Sequence, residues 1–238
     1  MVALQVRAHL AAGIAHAAPW GISLDGLLAA ELWAERKAAA RDAGRPAPGL
    51  QDTADPEELE LPLARCTSGG DGLWHWAATS AYPHEHTTEV PDIHYWTGRT
   101  DARTLEHLTP ALPATLSDRQ GRYRARYMPL LVTPCTSVSW SAVGDPATIT
   151  ALLSTVSAIG KKRSHGEGHV LSWTVTPTPA VDPWAAAHLH PDGTLGRPTP
   201  EACLHHHPAP LTGGYGTAGL RPPYMHPARQ HHLHLPAR

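Results

Sequence analysis

Cysteine is scarce in this sequence, and the three cysteines form no recognisable pattern. Cys66, Cys135 and Cys203 are far apart and make no CxxC pair, which excludes a disulfide framework and is typical of a reducing cytoplasm. No apolar run reaches the length of about 18 residues that a membrane-spanning helix needs. The N-terminus has no charged segment followed by an apolar core and a cleavage site. We therefore expect a cytoplasmic protein.

A net positive charge, the usual mark of a nucleic-acid-binding protein, is also absent. The 19 Lys and Arg residues are outnumbered by 21 Asp and Glu residues, which gives a formal net charge of −2. The distribution is uneven, because acids dominate residues 31–60 whereas bases dominate residues 119–126 and 161–163. Since clustered cations attract a polyanion whatever the net charge, this asymmetry favours a polyanionic partner.

The N-terminal part of the chain has the patterns of a strand followed by a helix. Apolar content of 42% over 238 residues is enough for a sizeable core. A strand is predicted near residues 2–14. A helix is predicted to begin at Leu24, with Ser23 as its N-cap, and to end at Gly44. Residues 45–62, rich in Pro, Gly, Asp and Glu, are predicted to form a loop insertion.

The middle of the chain continues with strands near residues 130–133 and 138–143. A helix with Pro146 at its first position follows, and residues 170–175 alternate like a strand. This order predicts an α+β domain over residues 1–176, with helices on one face of an antiparallel sheet, of the ferredoxin-like type. Residues 177–238 are rich in Pro and His with little apolar periodicity, and are predicted to form a C-terminal extension that includes an extended arm.

A glycine-rich turn over residues 159–170 joins the second predicted helix to the strand after it. It contains three consecutive cations, and its glycines leave backbone N–H groups accessible. Such a turn suits an extended anion, and a phosphodiester backbone is one. The candidate residues of this turn for contact with a phosphodiester backbone are Lys161, Lys162, Arg163, Ser164, His165, Gly166 and Gly168.

A second basic stretch places four arginines within residues 119–126, interleaved with tyrosines. Guanidinium groups pair with phosphates, and tyrosine rings stack on unpaired bases. Asp118 is the only acid between residues 107 and 144, so local acids do not neutralise these arginines. If the chain is extended, positions 122, 124 and 126 share one face, and Tyr123 and Tyr127 the other. The candidate nucleic-acid-binding residues of this stretch are Arg119, Arg122, Tyr123, Arg124 and Arg126.

Histidine is frequent, with 18 residues, yet no metal site is predicted. His84 and His86 have no third ligand at a recognisable spacing, and the neighbouring residues 81–100 have the composition of a proline-containing loop. Cys203 precedes His205–His207, but adjacent histidines seldom form a tetrahedral site together. We therefore assign no metal and no cofactor.

A short strand is predicted over residues 73–80. Trp74 and Trp76 share one of its faces and His75 points to the other. We assign the two tryptophans to the core rather than to a base-stacking platform. Asp25, in the first turn of the predicted helix, is explained by its favourable interaction with the helix dipole.

Two of these motifs resemble those of a known family. The turn Gly160–Gly168 is similar to the glycine-rich loop of CRISPR-associated RAMP proteins, and Leu24–Ala29 is similar to their opening motif. The pattern over residues 1 to about 176 most resembles the type IV CRISPR effector subunit that caps the 5′ handle of the guide RNA (crRNA). Glu167 departs from the family pattern, where an aromatic or apolar residue is commoner, which argues against direct phosphate contact by its side chain. Backbone N–H donation from Gly166 and Gly168, and a pairing of Glu167 with Arg163, are both left open.

The resemblance implies an RRM-like ferredoxin fold and a non-catalytic guide-RNA-binding subunit of a type IV ribonucleoprotein. Its partners would be crRNA, the backbone RAMP subunits and the large subunit, with contact to target DNA left open and no membrane. The alternative is a metal-independent RAMP endoribonuclease that processes precursor crRNA, with His9, His165 or His169 as general base. A third reading is a structural protein whose cations pair with a neighbouring subunit's acids. We favour the RNA-binding subunit, because no histidine stands in a specific catalytic motif.

Overall fold

The computed structural model describes residues 1–16, 20–46, 56–84, 91–98, 101–108, 117, 119–121, 123–205 and 207–237. The helices are α1 (Leu24–Asp42), α2 (Ala102–Leu108), α3 (Pro146–Leu153) and α4 (Pro183–His188). The strands are β1 (Val2–Leu10), β2 (Arg65–Cys66), β3 (His75–Trp76), β4 (Tyr82–His84), β5 (Asp92–Gly98), β6 (Arg126–Val132), β7 (Ser137–Gly144), β8 (Val170–Pro177), β9 (Thr212–Gly219) and β10 (Gln230–Pro236). The predicted α+β class with antiparallel sheets is confirmed. Across the described ranges, no helix combines the length and apolar character needed to span a membrane.

The central sheet has four strands in the order β4, β7, β1, β8, and every neighbouring pair is antiparallel. β1 lies inside the sheet, where Val6 is opposite Trp140 of β7 and Val175 of β8. Leu4, Val6 and Ala8 are buried because alternate side chains of a strand share one face. In chain order the sheet and its helices run β1, α1, β4, β7, α3, β8.

Helices α1 and α3 pack on this apolar face of β1. As predicted, Ser23 caps α1, and its hydroxyl oxygen accepts from the Gly26 N–H at 3.3 Å. Pro146 begins α3, also as predicted, and the Asp145 carboxylate accepts from the Thr148 N–H at 2.9 Å. Burial of each large apolar side chain contributes about 1.5–3 kcal/mol. The fully buried residues that the two helices add to the core are Leu24, Leu28, Ile149 and Leu153.

Helix α4 covers the opposite face of the central sheet at one end. Its Ala186 and Ala187 pack with Ala3, Ala77 and Val143 in a small separate cluster. Ala3 follows the alternation of β1 and therefore points away from the α1 side. These side chains are small, so the helix backbone can approach the sheet closely.

The loop expected over residues 45–62 is packed against the core where the structure describes it. Residues 47–55 lie outside the described part. Leu59 and Leu61 are buried in the main cluster together with Leu63. The acidic and proline-rich composition conceals this two-residue spacing of leucines and therefore predicts a surface loop.

The C-terminal extension is folded rather than arm-like in its described residues. β9 and β10 form an antiparallel hairpin. Arg197 is buried and donates to the carbonyl oxygens of Trp76, Ala78 and Leu220. The apolar residues of the C-terminal extension are too widely spaced to form a periodic pattern. Their burial therefore becomes visible only in the folded structure. Those fully buried are Leu195, Leu220 and Leu233.

Candidate nucleic-acid interface

The glycine-rich turn is held together by its own backbone. The Ile159 N–H donates to the Gly168 carbonyl oxygen at 2.9 Å, and the Lys161 N–H donates to the Ala15 carbonyl oxygen at 2.7 Å. Gly160 and Gly168 have φ angles of +83° and +63°. A Cβ at Gly168 would lie 1.9 Å from the Ile159 carbonyl oxygen, and one at Gly160 would lie 2.4 Å from that of Ala15. These glycines are therefore needed for close backbone approach.

The two glycines predicted to contact RNA shape the turn. The Gly166 N–H donates to the Arg163 carbonyl oxygen at 3.1 Å. Gly168 is buried. The side chains of the turn, rather than these two glycines, are thus its available anion-binding groups.

The cations of the turn face solvent without acidic partners. Lys161 and Arg163 are exposed, as are Ser164 and His165, and Lys162 is half-buried. None of the three cations forms an ion pair with an acid of the described ranges. Their charge is therefore available to an incoming phosphate.

Strands β5 and β6 pair antiparallel, although residues 99–125 with helix α2 separate them in sequence. This pair, called the β5–β6 hairpin below, lies against the turn and is joined to it by side chains. His94 Nδ1 lies 2.8 Å from Glu167 Oε1. Lys162 Nζ lies 3.1 Å from the centroid of the Trp96 ring, an arrangement that stabilises the ammonium group. The His165 ring meets Trp96 edge-to-face at 5.8 Å. Glu167 thus pairs with His94 rather than with Arg163, the partner that the sequence left open.

One face of the hairpin carries exposed aromatic and apolar side chains. Tyr95 and Tyr127 are stacked, with ring centroids 4.7 Å apart and planes 2° from parallel. Their exposed fractions are 55% and 66%, and Ile93 and Leu131, opposite each other on the same face, are equally open. Since side chains alternate along a strand, this face points away from the turn that Trp96 contacts.

The Arg–Tyr stretch is only partly extended. β6 begins at Arg126, and the preceding chain turns at Gly121, whose φ is +73°. Arg122 lies outside the described residues, and Tyr123 is half-buried. The continuous ridge expected over residues 122–126 is therefore not formed as a strand. The exposed arginines of this stretch, none paired with an acid of the described part, are Arg119, Arg124 and Arg126.

Sequence reasoning missed the contribution of β5 to this surface. Pro91 and the nearby histidines indicated a loop, so Tyr95 and Trp96 were not assigned a role. The available signal was the alternation of Ile93 and Tyr95 with His94 and Trp96. It was short, and the pairing with β6 is what makes it a strand.

Asp25 lies in the first turn of α1, as predicted, and its carboxylate accepts from the Gly26 N–H at 2.9 Å. It also has a long-range role that the sequence did not indicate. It is fully buried and accepts the Tyr224 hydroxyl at 2.6 and 2.7 Å, with Arg197 Nη2 at 3.7 Å. Burial, and then the negative charge of Asp25, raises the pKa of Tyr224 well above its usual value, so the phenol stays a donor. These contacts join the C-terminal extension to α1.

The histidines considered for RNA cleavage are not arranged as an acid–base pair. His9, His165 and His169 are exposed. The His165 ring lies 3.1 Å from the Ser164 hydroxyl. No hydrogen bond joins any two of the three histidine side chains in the described structure. General acid–base catalysis needs such groups at hydrogen-bonding distance from the reacting atoms.

A separate, buried cluster is formed by Cys66, His75, His188 and Cys203. Its sulfur and nitrogen atoms all lie within 4.8 Å of one another, and it is the one group of potential metal ligands found in the described residues. Burial, and then the charge of Arg197, lowers the pKa of His75 to about 4. No local pattern indicates this cluster, because its two cysteines are 137 positions apart in the sequence.

Comparisons with known proteins bear on the whole chain. A sequence model of the family described as CRISPR type IV associated protein Csf3 matches residues 2–235. No curated protein matches the chain. Among solved structures, it is similar to a chain of the cryo-EM structure of the Type III-B Cmr-beta bound to cognate target RNA, with 11% identity and a TM-score of 0.38. That alignment covers 74% of this chain and 61% of the other, so this chain spans less than two thirds of that relative's length.

Proposed function

The chain belongs to the CRISPR type IV associated Csf3 family, and from this premise we propose that it is a non-catalytic guide-RNA-binding subunit of a cytoplasmic type IV CRISPR ribonucleoprotein. The family match confirms the resemblance to type IV CRISPR-associated proteins that the sequence motifs indicate. In the proposed role, the chain caps the 5′ handle of crRNA and contacts the backbone RAMP subunits and the large subunit.

One observation carries this proposal: cations without acidic partners in the described residues lie on one side of the β5–β6 hairpin, and exposed aromatic rings lie on its other face. Lys161, Lys162 and Arg163 provide charge for phosphates on the Trp96 side, and the opposite face of the hairpin carries the Tyr95–Tyr127 stack. Single-stranded RNA presents both phosphates and unstacked bases, so it is the ligand that uses both groups. A purely structural partner with acidic side chains would need the cations alone.

The arrangement of the central sheet supports the ferredoxin-like part of the proposal. Its elements follow the order strand, helix, strand, strand, helix, strand, with β1 and β7 in the interior. This is the order of the ferredoxin-like unit. In this assignment, the glycine-rich turn connects the second helix of the unit to its last strand.

Exposed apolar residues of the hairpin support contact with other subunits. Ile93 and Leu131 stand beside the tyrosines on a face that nothing covers in the described residues. Exposed apolar surface of this kind is typical of interaction sites. In the proposed complex, a neighbouring subunit covers part of this face after RNA binds.

The proposal is tested by titrating the protein into fluorescently labelled RNA that carries the repeat-derived 5′ handle, with anisotropy measured over a range of salt concentrations. If about five phosphates are engaged, the slope of log K against log salt is about −3.5. The triple variant K161A/K162A/R163A should make that slope shallower by about 2 and should weaken binding on the order of a hundredfold at 0.1 M salt.

The matched control is K37A/R41A/R45A, which removes three exposed charges from α1 and the residues after it. This variant loses the same net charge but should keep nearly the wild-type slope. A wild-type slope near zero, or equal losses in the two triple variants, would contradict the proposed RNA surface.

The endoribonuclease alternative is decided in a separate reaction. Precursor repeat RNA is incubated with the protein in chelator and analysed on a denaturing gel. Intact RNA that shifts on a native gel supports the binding subunit. Cleavage at one position that leaves a 2′,3′-cyclic phosphate would support the endoribonuclease instead of the binding subunit, provided that His165→Ala or His169→Ala abolishes it.

A further inference from the structure

The buried Cys–His cluster has the composition of a metal site, and we propose that Cys66, His75, His188 and Cys203 bind a single Zn²⁺ ion tetrahedrally. Two thiolates and two imidazoles are a donor set of closed, structural zinc sites. His75, His188 and Cys203 are buried, and Cys66 is half-buried.

The distances between the ligand atoms match a zinc tetrahedron. With Zn–S of about 2.3 Å and Zn–N of about 2.0–2.1 Å, the edges should be about 3.8 Å for S···S, 3.6 Å for S···N and 3.3 Å for N···N. The Cys66 and Cys203 sulfurs are 3.9 Å apart, and the His75 and His188 Nε2 atoms are 3.3 Å apart. The Cys66–His188 and Cys203–His75 edges are both 3.7 Å.

Hydrogen bonds fix both histidines in the form that a metal requires. His75 Nδ1 lies 3.0 Å from the Trp76 carbonyl oxygen, and His188 Nδ1 lies 2.8 Å from that of Trp184. A carbonyl oxygen only accepts, so each Nδ1 carries the proton and donates it. In neutral rings, both Nε2 atoms then present lone pairs to each other at 3.3 Å, an unfavourable contact that a cation between them resolves. Donation of the second ring N–H to a carbonyl is also the usual support of a metal-bound histidine.

The charge of the site is balanced without further groups. Two thiolates neutralise the two charges of Zn²⁺, so the buried centre carries no net charge. Two thiolate and two neutral imidazole ligands favour zinc over Mg²⁺ or Ca²⁺, which prefer oxygen ligands.

The proposed ion connects two distant parts of the chain. Cys66 and His75 are directly opposite in the β2–β3 pair. His188 ends α4, and Cys203 lies in a separate short 3-10 turn, Glu201–Cys203. The Trp184 indole N–H donates to the Cys203 carbonyl oxygen at 2.9 Å, and its ring stacks on His188 at 4.8 Å. Zinc at this point would hold the C-terminal extension on the central domain.

The first test is the zinc content of the full-length protein after dialysis against a weak chelator, measured by inductively coupled plasma mass spectrometry. Wild type should retain about one zinc per chain. Cys135→Ser, the control for the third cysteine, should retain the same amount. Cys66→Ser and Cys203→Ser should lose nearly all of it.

A histidine control separates this site from adventitious binding by the many other histidines. His231→Asn/His232→Asn removes two imidazoles from β10 and should leave the zinc content unchanged. Loss of zinc in this variant with retention in Cys66→Ser would overturn the proposal.

Two measurements on the wild-type chain keep the test independent of variant folding. Replacement by Co²⁺ should give the thiolate-to-cobalt charge-transfer band and the intense visible bands of tetrahedral coordination. Titration with an organomercurial should release the zinc as two thiols react. Folded wild type without zinc, a Cys66–Cys203 disulfide in its place, or cobalt spectra without the thiolate band would each overturn the site.

Discussion

The buried Cys–His cluster and the exposed surface of the glycine-rich turn both gather polar side chains, but they do so in opposite ways. In the cluster, the ligand atoms lie within 4.8 Å of one another, and each histidine is oriented by a carbonyl oxygen. On the surface, Lys161 and Arg163 are exposed and have no described acidic partner. Buried, closely spaced ligand atoms suit one small ion, whereas exposed charges suit an extended polyanion.

This difference separates stability from binding. Groups whose partners are buried contribute to the free energy of unfolding, because their loss leaves desolvated atoms unsatisfied. Exposed cations contribute little to stability, since water solvates them in the folded and unfolded states. Changes in the two regions should therefore be distinguishable by melting temperature and by RNA affinity.

Among the predicted changes, removal of the proposed zinc ion should have the largest effect. It should lower the stability of the fold and leave the RNA-binding surface unchanged. A site filled at about 1,000 times its Kd adds about 4 kcal/mol to the free energy of unfolding. For a chain of this size, that corresponds to a fall of about 8–16 °C in Tm when a strong chelator is present. Differential scanning fluorimetry with and without chelator measures it, with Cys66→Ser as the variant that should no longer respond. An unchanged wild-type Tm would remove the proposed structural role.

The second-largest effect should be a loss of stability when the buried Asp25 carboxylate loses its hydrogen-bond donor. Tyr224→Phe removes the hydroxyl that Asp25 accepts, and should cost about 1.5–3 kcal/mol, the value of a hydrogen bond to a charged group. Tyr82→Phe is the control, because its hydroxyl donates to an exposed Asp192 at 3.3 Å. Urea unfolding should show a clear loss for the first variant and little for the second. Neither should change the salt slope of RNA binding.

Loss of the Tyr95–Tyr127 stack should change the RNA affinity without changing the net charge of the protein. Tyr127→Ala should weaken RNA binding by about 1–3 kcal/mol, the typical contribution of a stacked base, at an unchanged salt slope. Tyr215→Ala on β9 is the matched control, since Tyr215 is also exposed and stacks on His232. Anisotropy titrations compare the two variants. If Tyr127→Ala and Tyr215→Ala bound RNA with equal affinity, the Tyr95–Tyr127 face of the hairpin would not contact RNA.

The smallest effect is expected at Glu167. Its carboxylate is the acid nearest in sequence to the cations of the turn and pairs with His94. Glu167→Gln should raise RNA affinity slightly, by less than about 1 kcal/mol, because it removes a single negative charge whose effect on the solvent-facing cations is screened by water and salt. Glu201→Gln, whose partner is the exposed His205, should leave the affinity unchanged. A loss of affinity in Glu167→Gln would show that the His94 contact orders the turn.

Prediction from sequence succeeded where neighbours along the chain decide the structure. The Ser23 cap and the Pro146 start of α3 were both found, because capping depends on residues within one helical turn. The glycine-rich turn was also located between its helix and strand. Its glycines proved to serve close backbone contacts with Ile159 and Ala15, which no local pattern contains.

Prediction failed where distant segments decide the structure. The sequence around β5 predicts a loop, because a short segment beside Pro91 has no clear strand pattern. Its pairing with β6 makes it a strand. The C-terminal extension was read as an arm, although Leu195 and Leu233 are fully buried. Isolated leucines separated by prolines carry no period, so their burial is visible only after the chain has packed.

By itself, the sequence determined the α+β class, the helix caps and the position of both basic stretches, and its motifs indicated the family. These features depend on composition and on residues a few positions apart. Only the tertiary structure decided that Cys66 and His75 meet His188 and Cys203, and that Tyr95 stacks on Tyr127. The physical reason is that such contacts arise when packing of the core brings together segments whose separation in sequence leaves no local signal.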